Sequence, residues 1–127
     1  MKQVIASSKN PAAIGPYSQA IKVGGVCYTS GQLPFDPETK ELEMEDLARA
    51  TKLCMQSIFN ICDELGVSKD NIVKCTILVA DLKQYGVINE TYGSLFEGNY
   101  PARTAFEVAG LPLGAPIEIE AIIDCEK

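Results

Sequence analysis

Between Ile117 and Ile123 the chain sets an apolar residue at every second position, with Ile117, Ile119, Ala121 and Ile123 alternating with Glu118, Glu120 and Ile122. A period of two belongs to an extended strand, whose successive side chains leave opposite faces. The apolar set meets a core, and Glu118 and Glu120 share the other face. A second strand signal precedes it across a Gly/Pro turn: Pro101-Ala102-Arg103-Thr104-Ala105-Phe106-Glu107-Val108. There Phe106 and Val108 point one way, and Arg103, Ala105 and Glu107 the other. If the apolar faces of both strands meet in one core, Arg103 and Glu118 are expected on the same side of the sheet. A guanidinium near a carboxylate can hold a small carboxylate and activate a water.

The rest of the chain supplies the elements around these strands. Lys2 to Ile5 is a short candidate strand, and Asn10-Pro11 and Gly15-Pro16 mark a loop. Ile21 to Val23, Gly24-Gly25 and Val26 to Thr29 predict a hairpin, the glycines supplying positive φ angles. Ser30 to Pro34 leaves it as a loop. Leu47, Ala50, Cys54, Ile58, Ile61 and Leu65 recur at helical spacing, and Gly66 stands where a C-cap belongs. Ile72 to Val79 is β-rich and almost wholly apolar, as a central strand is. A second helix is expected from Asp81, with Gln84 completing a capping box and Tyr85, Ile88, Tyr92 and Phe96 forming its stripe. The order ββ(β)αβαββ predicts an α+β domain, a mixed sheet with two helices on one face. The other face, expected to include Thr76, Leu78, Ala105, Glu107, Glu118 and Ile122, is neither a clean polar surface nor a core. It is expected to be partly buried in a homo-oligomer.

Composition narrows the function. The 127 residues make one domain, 1–127. A net charge of −6 and a pI near 4.6 repel phosphate backbones, and the eleven Lys and Arg form no basic cluster, so nucleic acid is not an expected partner. No run of ~18 apolar residues exists, so no membrane span is expected. The first eight residues lack the apolar stretch of a secretory signal. Five cysteines with no Cys-x-x-Cys pair read as reduced packing residues in a cytoplasmic protein. With no histidine, the commonest zinc ligand and the commonest general base are both missing. No metal is expected.

Four segments carry a resemblance: Ala12-Ala13-Ile14-Gly15-Pro16-Tyr17-Ser18-Gln19-Ala20; Thr29-Ser30-Gly31-Gln32-Leu33-Pro34; Val87-Ile88-Asn89-Glu90-Thr91-Tyr92; and Pro101-Ala102-Arg103 with Ile117-Glu118-Ile119-Glu120-Ala121. With the order of elements, the chain resembles the RidA (YjgF) family over essentially its whole length. The resemblance implies a chorismate-mutase-like fold and a homotrimer whose sheets form a central barrel, with clefts between subunits. It also implies hydrolysis of 2-imino acids, derived from 2-aminoacrylate and 2-aminocrotonate, to 2-keto acids and ammonia without cofactor. The chain departs from the family's usual residues at Thr104, more often Ser, Ala or Cys, and at Ala105, a cysteine in some members.

Imine hydrolysis needs an anchored substrate, a positioned water and proton transfers to nitrogen. Arg103 suits the anchor, its planar fork matching a carboxylate; the bland alternative is an ion pair with Glu107 or Glu118. Glu118 is the candidate to polarise water, with Glu120 its competitor, and the family's pattern points to the first. Tyr17 could close a cleft or simply pack. Ser30 and Gly31 could offer a hydroxyl and backbone donors at a close-approach turn, or form an ordinary strand end. Asn89 could bond a cleft residue across subunits or lie on a plain helix surface. Two other readings stand beside the enzyme: a small-carboxylate-binding or chaperone-like trimer, and a ribonuclease or translation inhibitor, an activity reported for relatives of this fold.

Overall fold

The alternating C-terminal segment becomes β6 (Ile117–Asp124), and it lies inside a six-stranded sheet rather than at an edge. The computed structural model of the chain describes residues 1–126. Before β6 come β1 (Gln3–Ile5), β2 (Ala20–Val23), β3 (Val26–Thr29), β4 (Ile72–Val79) and β5 (Ala102–Glu107), with helices α1 (Leu47–Leu65) and α2 (Tyr85–Ser94). The strand order is β1-β2-β3-β6-β4-β5. Only β4 and β5 run parallel, joined through α2; every other pair is antiparallel. The α+β architecture is the expected one.

The helices form for local reasons. Ala50, Cys54, Ile58 and Ile61 bury one stripe of α1 against the sheet. The Asp46 carboxylate accepts a hydrogen bond from the Arg49 amide and caps the N-terminus. Gly66, at φ 74°, ends the helix, with bonds from Gly66 and Val67 amides back to the Asp63 and Cys62 carbonyls. The second helix begins later than its sequence signal. Asp81 caps a single 3-10 turn, Leu82–Gln84, by accepting from the Lys83 amide, and α2 starts at Tyr85. No capping box forms, because the Gln84 side chain makes no cap bond. In the β2–β3 hairpin only Gly24 takes a positive φ (60°); Gly25 serves a close approach instead, since a Cβ there would lie 2.5 Å from the Glu126 carboxylate.

Strand register decides the facing of every side chain. Cys75 stands opposite both Ala121 of β6 and Arg103 of β5, so these three share the helix-covered face. Leu78 stands opposite both Glu118 and Phe106, so those share the open face. Arg103 and Glu118 therefore leave opposite sides of one sheet, which overturns the expected shared side. Ala105 and Glu107 also move to the helix face, while Thr76, Leu78, Glu118 and Ile122 do lie on the open one. The cause is the place of β5 at the sheet's edge. Five of its six residues, on both faces, are exposed and the sixth, Ala105, is half-buried; Phe106 remains 46% exposed. At such a strand the polarity of a residue does not report which way the core lies.

Candidate active site

Arg103 is one of only two arginines in the chain. The other, Arg49, is claimed by carboxylates, donating to Asp36 at 2.7 Å and to Glu43 at 2.9 Å. Those bonds hold the Asp36 and Glu43 carboxyls below the usual range; for Glu43 the backbone amides of Asp46 and Glu45 contribute most. Among the described residues Arg103 makes no ion pair and no side-chain hydrogen bond. The carboxylates considered as its partners are elsewhere: Glu107 accepts from the Leu82 amide at 2.9 Å, and Glu118 is across the sheet. The Arg103 guanidinium instead lies over the rings of Tyr92 (5.1 Å to the centroid) and Tyr85 (5.5 Å). With Asn89, Tyr92, Gly93, Tyr100 and Pro101 it lines a cavity of about 440 Å³. Asn89, expected to belong to a site, is exposed on α2 and borders that cavity.

A second cluster gathers round Glu118 on the other side. Leaving β3, the chain takes four steps from Tyr28 to Gln32 while β6 takes three from Ile122 to Ile119. This extra residue throws Ser30 and Gly31 outward, as a bulge does. The chain then re-pairs through Gln32, whose amide and carbonyl both bond Ile119. Gly31 is needed for contact rather than for φ: a Cβ there would stand 2.6 Å from the Glu118 carboxyl carbon. Burial raises the Glu118 carboxyl above its ordinary range, and the charge of Glu120 adds to the shift. Glu120 is exposed. Of the two glutamates, then, Glu118 is the one whose surroundings favour holding a proton.

Ser30 is not a free donor, since its hydroxyl donates to the Ser18 carbonyl at 2.6 Å and its amide to the Gln19 carbonyl at 2.8 Å. It can still accept. Tyr17, next to Ser18, is 54% exposed and borders a separate cavity of about 610 Å³ with Ser7, Asn10 and Gln19. This loop is keyed to α1 by a buried amide network. Asn60 donates to Asn10, which donates to the Ser57 carbonyl and to Gln19; the Gln19 side-chain oxygen also accepts from the Ser7 amide. These mutual bonds fix the loop that carries Tyr17, to which Ser30 is tied through the Ser18 and Gln19 carbonyls.

One chain thus brings Asn89 to the cavity of Arg103 on one side and Gly31 to Glu118 on the other, with Ser30 tied to the Tyr17 loop and Tyr17 itself at the separate cavity. Sequence reasoning missed the tyrosines around Arg103. Tyr85 and Tyr92 were legible only as a packing stripe, and a seven-residue spacing on one helix face was the available signal. Burial pushes the Cys75 thiol, beside Arg103 in register, up to about 11, which leaves it protonated and inert.

The fold and these clusters have a clear kinship. The family model described as Endoribonuclease L-PSP matches residues 7–125, and the chain belongs to that family, the YjgF/RidA family. A rat relative, named 2-iminobutanoate/2-iminopropanoate deaminase, is 44% identical over 122 residues, covering 96% of this chain and 89% of that protein. The crystal structure of RidA from an Antarctic Psychrobacter superposes with a TM-score of 0.90 at 43% identity, covering 96% of this chain and 98% of that one. E. coli TdcF, solved with bound serine, superposes with a TM-score of 0.90 at 35% identity over the same shares. No helix among the described residues is long and apolar enough to cross a membrane.

Proposed function

We propose that this chain hydrolyses reactive 2-imino acids, of the kind released as 2-aminoacrylate and 2-aminocrotonate, to 2-keto acids and ammonia. One observation carries the reading: Arg103 lines a cavity and, among the described residues, pairs with no carboxylate, which leaves its in-plane N–H groups available to a ligand carboxylate. The rat relative's name and the amino acid bound to TdcF support the same substrate class. The site is completed between copies of the chain in a homotrimer, Arg103 and Asn89 coming from one copy and Glu118, Ser30, Gly31 and Tyr17 from the next. Support for this comes from the opposite facing of Arg103 and Glu118, from the position of Arg103 on an edge strand, and from the half-exposed Tyr28 and Phe106 on the uncovered face.

In that site Arg103 holds the substrate carboxylate, and Glu118 accepts a proton from the attacking water as its oxygen bonds the imine carbon. The C=N electron pair moves to nitrogen, and Glu118 returns the proton there. Glu118 then carries the hydroxyl proton to the amine nitrogen, so that the C–N bond breaks as the C=O bond forms and ammonia leaves with the keto acid. A carboxyl raised above its ordinary range serves these proton transfers. The chemistry needs only residues of the chain and water, and the expected setting is the cytoplasm. An RNA substrate suits the molecule poorly, given its net charge of −6 and lack of histidine. The test is formation of pyruvate and ammonia from freshly generated 2-iminopropanoate, with the oligomer sized in the same sample. A folded oligomer no faster than buffer refutes the reading.

A further inference from the structure

The way Arg103 is held bears on how it recognises an anion, an inference that rests on the anchoring role just proposed. A carboxylate partner would fix a guanidinium by consuming its in-plane N–H donors, and a ligand would have to displace it. An aromatic ring attracts the cation through its flat face and leaves those donors open. Tyr85 and Tyr92 lie seven residues apart on α2, so both rings reach the same side of the helix. Tyr92 is 2% exposed, and its ring packs on Phe96 at 5.2 Å; Phe96 in turn meets Phe59 of α1 at 6.1 Å and Tyr100 at 6.3 Å. The ring beneath the guanidinium is thus anchored through an aromatic chain to the other helix. Arg103 meets the face of the Tyr92 ring, its guanidinium carbon 5.1 Å from the centroid, while the Tyr92 hydroxyl is buried beside the Cys75 thiol.

We propose that Tyr85 and Tyr92 are positioning residues: their rings hold the Arg103 guanidinium in one plane, with its N–H edge open to a ligand carboxylate. The experiment compares Tyr85→Leu, Tyr92→Leu and the matching Phe variants in three readouts. Loss of one ring raises KM for 2-iminopropanoate and the dissociation constant of pyruvate about three- to thirty-fold, with kcat held within about threefold, and Phe restores both constants. A merely structural loss would instead lower kcat through the active fraction at unchanged KM. The third readout needs no ligand. The chain has only two arginines, so the Arg103 Nε–H resonance is read against Arg49. Ring currents shift it upfield in the wild type and in both Phe variants, and the shift shrinks in both Leu variants. Wild-type constants and an unmoved Arg103 resonance in the Leu variants would overturn the proposal, as would Phe variants as weak as Leu. Should Tyr92→Leu not fold, Tyr85→Leu decides, because Tyr85 is only half-buried. Should the wild type neither turn over the imine nor bind pyruvate, the hydrolase reading fails, and the resonance shifts still decide for or against the ring contact.

Discussion

Replacing Arg103 by alanine separates activity from stability, and the structure sets both magnitudes. Among the described residues the guanidinium pairs with no carboxylate, so its removal leaves none of them uncompensated. The fold loses two cation–π contacts at a mostly exposed side chain, about 1–2 kcal/mol together. A bidentate grip on a carboxylate loses more. Truncating one side of a charged, hydrogen-bonded pair costs about 2–5 kcal/mol, which corresponds to roughly 30- to 5,000-fold in kcat/KM. Steady-state hydrolysis of 2-iminopropanoate measures the second quantity, and urea unfolding at fixed protein concentration the first. Arg103→Ala should give a well-folded protein whose kcat/KM is down on the order of a hundredfold. The reasoning fails if kcat/KM stays within about threefold of wild type, or if the urea midpoint collapses as it does when a buried ion pair is broken.

Other outcomes follow from the Glu118 side of the sheet. Burial raises the Glu118 carboxyl, so the folded state holds that proton more tightly than the unfolded chain, and ionisation costs stability as pH rises through the carboxylate range. Glu118→Gln should abolish imine hydrolysis yet melt higher than wild type at pH 7, with the difference vanishing below about pH 4; equal melting offsets at the two pH values would reject this. Gly31→Ala should lower kcat with little change in stability, because the new methyl displaces the end of a flexible side chain, the Glu118 carboxyl, rather than backbone. A crystal structure with that carboxyl unmoved would contradict it. Asn60→Ala strands a buried acceptor on Asn10 and should cost about 1–3 kcal/mol in urea unfolding, a loss below 0.5 kcal/mol (roughly the size of ordinary surface changes) being incompatible with the network.

Elements with a strong period and a cap were legible in the sequence. Leu65-Gly66 ended α1 where the glycine stands, and Ile72–Val79 became β4 with those bounds. The delayed start of α2 was not legible, because an Asx cap serves a single 3-10 turn as well as a helix. Facing was readable in β6, where one side meets a core along its whole length. It was unreadable in β5, where an edge strand exposes apolar and charged residues alike, and there the inference from Phe106 reversed Arg103. Arg103, Glu118 and Asn89 stood out by residue type and resemblance. The tyrosines under the guanidinium did not, since contact between strand and helix is set by tertiary packing, and a stripe of aromatics on α2 has the same pattern whether it fills a core or supports a charge.

The two-sided placement of Arg103 and Glu118 has a genetic corollary under the proposed assembly. An allele that lost the arginine would still supply its glutamate, and an allele that lost the glutamate would still supply its arginine. Co-expressed in equal amounts and assembled at random, these two dead products would leave about one catalytic centre in four whole. Two alleles damaged in the same half would leave none, so harm to a diploid would depend on which halves its lesions struck.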